Sequence, residues 1–111
     1  MAYLNIELMK ECLKDLSDPD LLRRGWVDGT QFLGDPTELL CQLFDDTGLS
    51  AAMESGYAQE KFGSAVVSQL QEMEKLLNEI IKSREVPARL LESEQMQRLH
   101  QISANIRSHL G

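Results

Sequence analysis

Lysine and arginine are missing from residues 25–60, although both types occur before and after that stretch. We name these residues the acidic segment, because they carry seven carboxylates: Asp28, Asp35, Glu38, Asp45, Asp46, Glu54 and Glu60. The segment also holds large apolar side chains such as Trp26, Phe32 and Phe44, which a disordered acidic tail lacks. We therefore expect the segment to fold and to present a surface of one charge sign. Such a surface attracts basic partners and repels nucleic acid.

The net charge of −7 is distributed unevenly along the 111 residues. Residues 1–56 hold 11 acidic and 4 basic side chains, whereas residues 57–111 hold 7 of each kind. Asymmetry of this kind is typical of a protein that binds a charged partner, and solubility alone is the alternative explanation.

Cysteine is scarce, and long apolar runs are missing from the sequence. The two cysteines, Cys12 and Cys41, form no CxxC motif and lie among apolar residues, so we expect buried free thiols rather than a disulfide. No stretch approaches the roughly 20 apolar residues that a membrane span needs. Charged residues interrupt the N-terminal apolar positions, unlike those of a signal peptide. The expected location is the cytoplasm, without membrane association.

Motifs that carry catalysis or hold a metal are missing as well. The sequence contains no GxGxxG, GxxxxGK[ST] or GxSxG. The two histidines, His100 and His109, have no ligand spacing with the cysteines. Asp45 and Asp46 are adjacent and diverge by about 100° around a helix, so they do not converge on one ion. We expect no enzymatic activity, cofactor or metal; a carboxylate-based metal binder or enzyme is the least favoured alternative.

Helical periodicity runs through the first half of the chain. The first helix is predicted from apolar residues at spacings of three and four: Ile6, Met9, Leu13 and Leu16. Asp18 and Asp35 each precede a proline, and this pairing of an N-cap side chain with proline at the first helical position predicts two helix starts. Gly25 and Gly29 are expected to break the chain, with a loop over residues 28–34. Gly48 is expected to end the following helix, and Ser50 to cap a short turn.

The longest predicted helix runs from about Ala58 to Arg84. Its apolar seam has the period of about 3.5 residues that is typical of helical bundles: Val66, Leu70, Met73, Leu77 and Ile80. Pro87 is expected to end this helix, and Ser93 to cap a last one that returns antiparallel to it. No segment alternates apolar and polar residues as a strand would. The sequence predicts one all-α domain over residues 1–111, a bundle of four main helices with short connecting helices.

Two short motifs resemble those of small acidic bacterial proteins: RGWVDG at residues 24–29 and LFDDTGL at residues 43–49. Some proteins with this pattern resemble immunity proteins, which neutralise a toxin made by the same or a neighbouring cell. The resemblance covers about a quarter of the chain. It implies a protein that masks a basic toxin domain.

The residues and the resemblance together predict a non-catalytic protein that engages a basic protein partner. The candidate contact residues are five carboxylates and two aromatic side chains: Trp26, Asp28, Phe32, Asp35, Glu38, Asp45 and Asp46. Two interpretations of Trp26 are open, a core residue or an interface anchor. The main alternative function is a structural module whose Val66–Ile80 seam drives self-association, for example as a homodimer, or docks in a larger assembly.

Overall fold

Helices account for 84% of the described residues, which contain no strand. The computed structural model describes residues 4–30, 35–83 and 86–110, and it confirms the all-α prediction. Two of the α-helices continue as π-helical segments, α2 over Arg23–Asp28 and α3 over Gln42–Asp46. The α-helices are α1 (Ile6–Leu16), α2 (Pro19–Leu22), α3 (Pro36–Cys41), α4 (Leu49–Glu54), α5 (Tyr57–Phe62), α6 (Ser64–Ser83), α7 (Pro87–Leu90) and α8 (Glu94–Leu110).

Short polar side chains begin the first three helices. Asp18 accepts a hydrogen bond from the backbone N–H of Leu21 at 3.1 Å, and Asp35 accepts one from Glu38 at 2.8 Å. Both predicted caps are therefore confirmed, each with proline at the start of its helix. Asn5 caps α1 in the same way. Each cap satisfies a backbone donor that the first helical turn leaves without a partner.

The first π-helical segment corrects the predicted break at Gly25. Gly25 lies inside this segment, and the helix ends instead at Gly29, whose φ is 68°. Because α2 and its π segment run on without a break, they add a fifth longer helix to the four that the sequence predicts. Of the eight helices in the described ranges, five have seven or more residues when continuous α and π segments are counted together. The rest of the predicted loop, residues 31–34 with Phe32, lies outside the described residues.

Gly63 divides the helix that the sequence predicts from Ala58 to Arg84. Its φ of 90° and ψ of 160° are backbone angles that residues with a β-carbon rarely adopt. The apolar period hides this break, because Phe62 and Val66 keep helical spacing across it. The described part of α6 ends at Ser83, and Arg84 lies outside the described residues.

Gly48 ends the helical run of α3, as predicted, with a φ of 83°. The same residue is the N-cap of α4, so the predicted cap at Ser50 is wrong and lies two residues after the observed one. The cause is Leu49, which is fully buried and forms the first residue of α4.

The apolar seam of α6 lies at the centre of the core. All five seam residues are 0–4% exposed: Val66, Leu70, Met73, Leu77 and Ile80. Buried residues of α8 and α1 belong to the same cluster: Met96, Leu99, Ile102, Ile106, Met9, Leu13 and Leu16. The seam is thus covered within one chain. Self-association through it, the main alternative function, would require this fold to open.

Two side-chain contacts fix α6 and α8 as antiparallel neighbours, as the sequence predicts. Arg98 donates to both carboxylate oxygens of Glu72, at 2.8 and 3.1 Å. Asn105 donates to Gln69 at 2.9 Å. Residue numbers fall along α6 as they rise along α8, which defines the antiparallel direction. These contacts are exposed, so they orient the helices more than they stabilise them.

His100 joins α8 to the C-terminus of α1. Its Nδ1 atom lies 2.7 Å from the carbonyl oxygen of Leu16, and a carbonyl only accepts, so Nδ1 is the donor. Leu16 is the last residue of α1, where a helix leaves its carbonyls without intrahelical partners. A histidine 84 residues away therefore supplies the hydrogen bond that the end of α1 needs.

The substitution Leu77→Asp should destabilise the fold by about 3–5 kcal/mol, because it removes core packing and places a carboxylate in an apolar site. Ser68→Asp on the exposed face of the same helix is the matched control and should change stability little. Urea unfolding measures both free energies. An unchanged midpoint for Leu77→Asp would contradict the burial of the seam.

The substitution His100→Ala should cost about 1–3 kcal/mol, because it leaves the Leu16 carbonyl without its donor. His100→Asn keeps an N–H donor in a similar position and should recover part of that loss. His109→Ala is the matched control, since His109 is exposed and bonds only within its own helix. Thermal unfolding that ranks His109→Ala below His100→Ala would contradict the capping role.

Candidate protein-binding surface

All seven carboxylates of the acidic segment are exposed. They lie on the first π segment, on α3 and its π segment, on α4 and on α5. The ion pairs among the described residues, Lys10–Glu7 and Arg98–Glu72, both lie outside this segment. The segment therefore presents carboxylates to solvent without a cation from the described part of the chain.

The second π segment presents Asp45 and Asp46. Leu43 and Phe44, which precede them, are 0% and 2% exposed and pack into the core, so the aspartates that follow turn outward. The segment packs against α1 and α4. Its position is thereby fixed from two sides by apolar contacts.

Thr47 anchors the end of this segment and was not singled out by the sequence analysis. Its hydroxyl is fully buried, donates to the carbonyl of Leu43 and accepts from the backbone N–H of Leu49 at 3.2 Å. Its own carbonyl accepts from the backbone N–H of Asn5 at 2.8 Å, which ties the segment to the start of α1. The hydroxyl and the carbonyl of Thr47 are therefore both hydrogen-bonded. These bonds hold the end of the segment that carries Asp45 and Asp46 in a fixed position.

Two further carboxylates, on α1, lie beside Asp46. Burial, together with the negative charges of Asp15, Glu11 and Asp46, raises the pKa of the Cys12 thiol to about 11. Burial also raises the pKa of Asp15, with additional contributions from Glu11 and Asp18. Glu11, Asp15 and Asp46 therefore surround the same thiol. The acidic surface extends onto α1, beyond the acidic segment.

The sequence contained a signal for this extension. Glu11 and Asp15 are four residues apart, so they share one face of α1, where like charges repel. Only the packing of the second π segment on α1 reveals that Asp46 joins them.

Trp26 and Asp28 are built on a different part of the molecule. They belong to the first π segment, which packs on α2 and α7 rather than on α1 and α4. Asp28 is exposed, and Trp26 is partly exposed while it packs against the core. Part of the Trp26 side chain contacts the core and another part reaches solvent, and its role as an interface anchor stays a prediction.

Asp35 and Glu38 form the first turn of α3, which packs on α6. Both are exposed, and Asp35 already caps the helix through its carboxylate. A carboxylate at a helix N-terminus is stabilised by the helix dipole. The predicted contact residue Phe32 lies outside the described residues.

The cysteines differ from the prediction in one respect. Both are free, and Cys12 is buried as expected, but Cys41 is exposed because it lies on the solvent side of α3. The raised pKa keeps the Cys12 thiol protonated at neutral pH, so it is a poor nucleophile. In the described ranges, no three His, Cys, Asp or Glu side chains converge in a way that could hold a metal ion.

The fold and surface define a small all-α protein with a rigid, exposed acidic surface. Comparison with known proteins finds no matching family model, curated protein or solved structure. Across the described residues, no helix combines the length and the apolar character needed to cross a membrane.

The substitution Asp15→Asn should stabilise the fold at neutral pH, by less than about 1 kcal/mol because the site is partly exposed to solvent. The pKa of Asp15 is raised in the fold above its ordinary value of 3.8, so the ionised form opposes folding. This penalty is absent at a pH below the pKa of Asp15 in the unfolded chain, and it develops as the pH rises through the higher pKa of Asp15 in the fold. The gain from asparagine should therefore be present at pH 7 and vanish at pH 3.

Thermal unfolding of both proteins across this pH range makes the comparison. A gain at pH 3 as large as that at pH 7, or a loss of stability at pH 7, would show that the ionised carboxylate of Asp15 is not what opposes folding.

Proposed function

We propose that this chain is a non-catalytic binding protein whose acidic surface engages a basic protein partner. The charged contacts are Asp28, Asp35, Glu38, Asp45 and Asp46, and the apolar anchors are Trp26 and Phe32. The partner fits the type that the sequence resemblance implies, a basic toxin domain that an immunity protein would neutralise. The proposal includes a cytoplasmic location in a bacterial cell, where such a toxin domain would be met.

The observation that carries this proposal is the segregation of charge. Seven exposed carboxylates share a segment without lysine or arginine, and both ion pairs of the described residues lie elsewhere. Solubility depends on net charge and does not require the carboxylates to be gathered together. Gathering them places like charges near one another, and repulsion between like charges opposes folding. A basic partner would relieve that repulsion.

The centre of the proposed contact is the second π segment with the neighbouring face of α1. The charge of Asp46 raises the pKa of the Cys12 thiol on α1, as the charges of Glu11 and Asp15 also do, so the negative charge of the segment reaches that face of α1. The buried Leu43, Phe44 and Thr47 hold the segment rigid beneath it. A rigid surface loses little conformational entropy when a partner binds.

Charge complementarity of this kind acts first on the rate of association. Steering by a charged surface raises the association rate constant well above that of neutral surfaces, and salt screens the effect. Apolar anchors such as a half-exposed tryptophan then slow dissociation. We therefore assign the association rate to Asp45 and Asp46, and the lifetime of the complex to Trp26.

The seam of α6 gives less support to a structural module. Its five residues are 0–4% exposed within one chain, and a second chain would have to displace a helix packed on α6, such as α8, to reach them. A surface that is already exposed needs no such rearrangement.

Replacing both Asp45 and Asp46 with asparagine should slow association with the partner by about tenfold at low salt and flatten its salt dependence. Stability should rise slightly or stay level, because both carboxylates lie near a helix C-terminus, where the helix dipole disfavours anions. The partner is first captured from the native host by pull-down. Stopped-flow kinetics at low and high salt then measure the rate.

The matched control replaces Glu79 and Glu92 with glutamine, which removes the same charge from exposed positions outside the acidic segment. This control should leave the association rate nearly unchanged. A captured partner that is itself acidic, or a rate indifferent to salt and to both aspartates, would refute the proposed function.

A further inference from the structure

A groove runs between α4 and α6, and we name it the α4–α6 groove. It has a volume of about 310 Å³ and is lined by five side chains: Ser50, Met53 and Glu54 from α4, and Gln71 and Glu74 from α6. α5 packs on both of these helices. α4 also packs on the second π segment, so the groove adjoins the surface assigned to the basic partner.

Helical spacing brings these five side chains together. Ser50, Met53 and Glu54 are three and four residues apart, so they share one face of α4. Gln71 and Glu74 are three residues apart and share one face of α6. Met53 is partly buried and packs against the core, so it supplies an apolar contact that the core holds in place. The groove is therefore built by two helices and combines apolar and polar side chains.

The charges that line the groove are both negative. No cation stands three or four residues from Glu54 or Glu74, the spacing that brings side chains together on a helix. Lys75 follows Glu74 directly, but it lies about 100° away around α6 and does not line the groove. The ion pairs among the described residues lie elsewhere, so neither glutamate has a bound cation from that part of the chain.

Two other cavities among the described residues carry both charge signs. The cavity between α1 and α8 is lined by lysine, arginine and glutamate side chains. The cavity beside α7 is lined by Arg89 and Glu79. Opposite charges in one cavity attract each other as well as a ligand, so neither cavity favours one sign of charge. The α4–α6 groove offers carboxylates without a cation, and it therefore favours a positively charged group.

We propose that the α4–α6 groove receives an arginine side chain of the basic partner, an inference that rests on the proposed function. A guanidinium group presents a planar fork of N–H donors, which suits the carboxylates of Glu54 and Glu74 and the amide oxygen of Gln71. Its apolar stem packs along Met53. A lysine ammonium is more strongly hydrated and has fewer donors, so it fits the groove less well.

The size of the groove agrees with this occupant. Small-molecule sites have volumes of about 300–1,000 Å³, and the groove lies at the lower limit of that range. It therefore suits a single side chain better than a large ligand.

The groove and the aspartates act on different steps of binding. Asp45 and Asp46 steer the encounter, and α4, which spans about 9 Å, leads from their segment to Glu54. Loss of rim charge changes mainly the association rate, whereas loss of one member of a hydrogen-bonded charge pair changes mainly the dissociation rate. We therefore expect the groove, together with Trp26, to lengthen the lifetime of the complex.

NMR titration of the full chain with N-acetyl-arginine amide tests the groove without the partner. The backbone amide shifts should concentrate on residues 50–54 and 71–74. Replacing both Glu54 and Glu74 with glutamine should weaken binding about tenfold, because the side chains keep their size and lose their charge. N-acetyl-lysine amide should bind the unmodified chain more weakly than the arginine compound does.

The matched control replaces Glu79 and Glu92 with glutamine, which removes the same charge from exposed positions outside the groove and should leave the affinity unchanged. Equal affinity for the two compounds would overturn the assignment to arginine. Shifts spread over all exposed carboxylates, or an unchanged affinity when Glu54 and Glu74 are replaced, would overturn the groove as a binding site. Circular dichroism checks that each variant keeps its helices.

Kinetics with the captured partner separate this inference from the proposed function. Replacing Glu54 and Glu74 should speed dissociation about tenfold and change association less than replacing Asp45 and Asp46 does. If the aspartate replacements slow association while the glutamate replacements leave dissociation unchanged, the proposed function stands and the groove is not a contact. If neither pair changes the kinetics, both the proposed function and the contact in the groove are wrong.

Discussion

The structure depends on covering one apolar seam. The seam of α6 is the longest in the chain, and its residues are 0–4% exposed because α8, α5 and α3 pack on α6. Burial of such side chains is the main favourable contribution to folding a chain of this size. Individual hydrogen bonds then orient the helices. Arg98 orients α8 against α6, and His100 bonds α8 to the end of α1. α3 and α5 pack on α6, α2 packs on α1, and α4 and α7 pack on elements outside the centre of α1, α6 and α8.

What this packing leaves outside is a set of unbalanced charges. The second π segment is held on α1 and α4 by Leu43, Phe44 and the buried hydroxyl of Thr47, so its two aspartates remain at the surface. Burial raises the pKa of the Cys12 thiol on α1, and Asp46 adds to this effect together with Asp15 and Glu11. Like charges held together by apolar packing oppose folding slightly. The same arrangement favours any partner that brings positive charge, which links the stability of the fold to its proposed function.

The sequence predicted the elements whose cause is local. Caps at Asp18 and Asp35, the left-handed Gly48 and the antiparallel pair α6–α8 follow from short motifs and period, and the structure confirms them. The errors have a different origin. Gly63 breaks a helix without disturbing its apolar period. Gly25 lies inside a π segment that no sequence pattern predicted. The position of Asp46 beside α1 depends on tertiary packing, so local sequence patterns did not predict that the acidic surface extends onto α1.

The central claim is that the acidic surface, centred on the second π segment and the adjoining face of α1, is where the partner binds. Backbone amide NMR of the full chain, titrated with the captured basic partner, tests it most directly. We expect the shifts to concentrate on residues 42–46, on Glu11 and Asp15, and on the other proposed contacts Trp26, Asp28, Asp35 and Glu38, while the exposed faces of α6 and α8 outside the α4–α6 groove change little. Shifts confined to α6 and α8, with residues 42–46 unaffected, would contradict it.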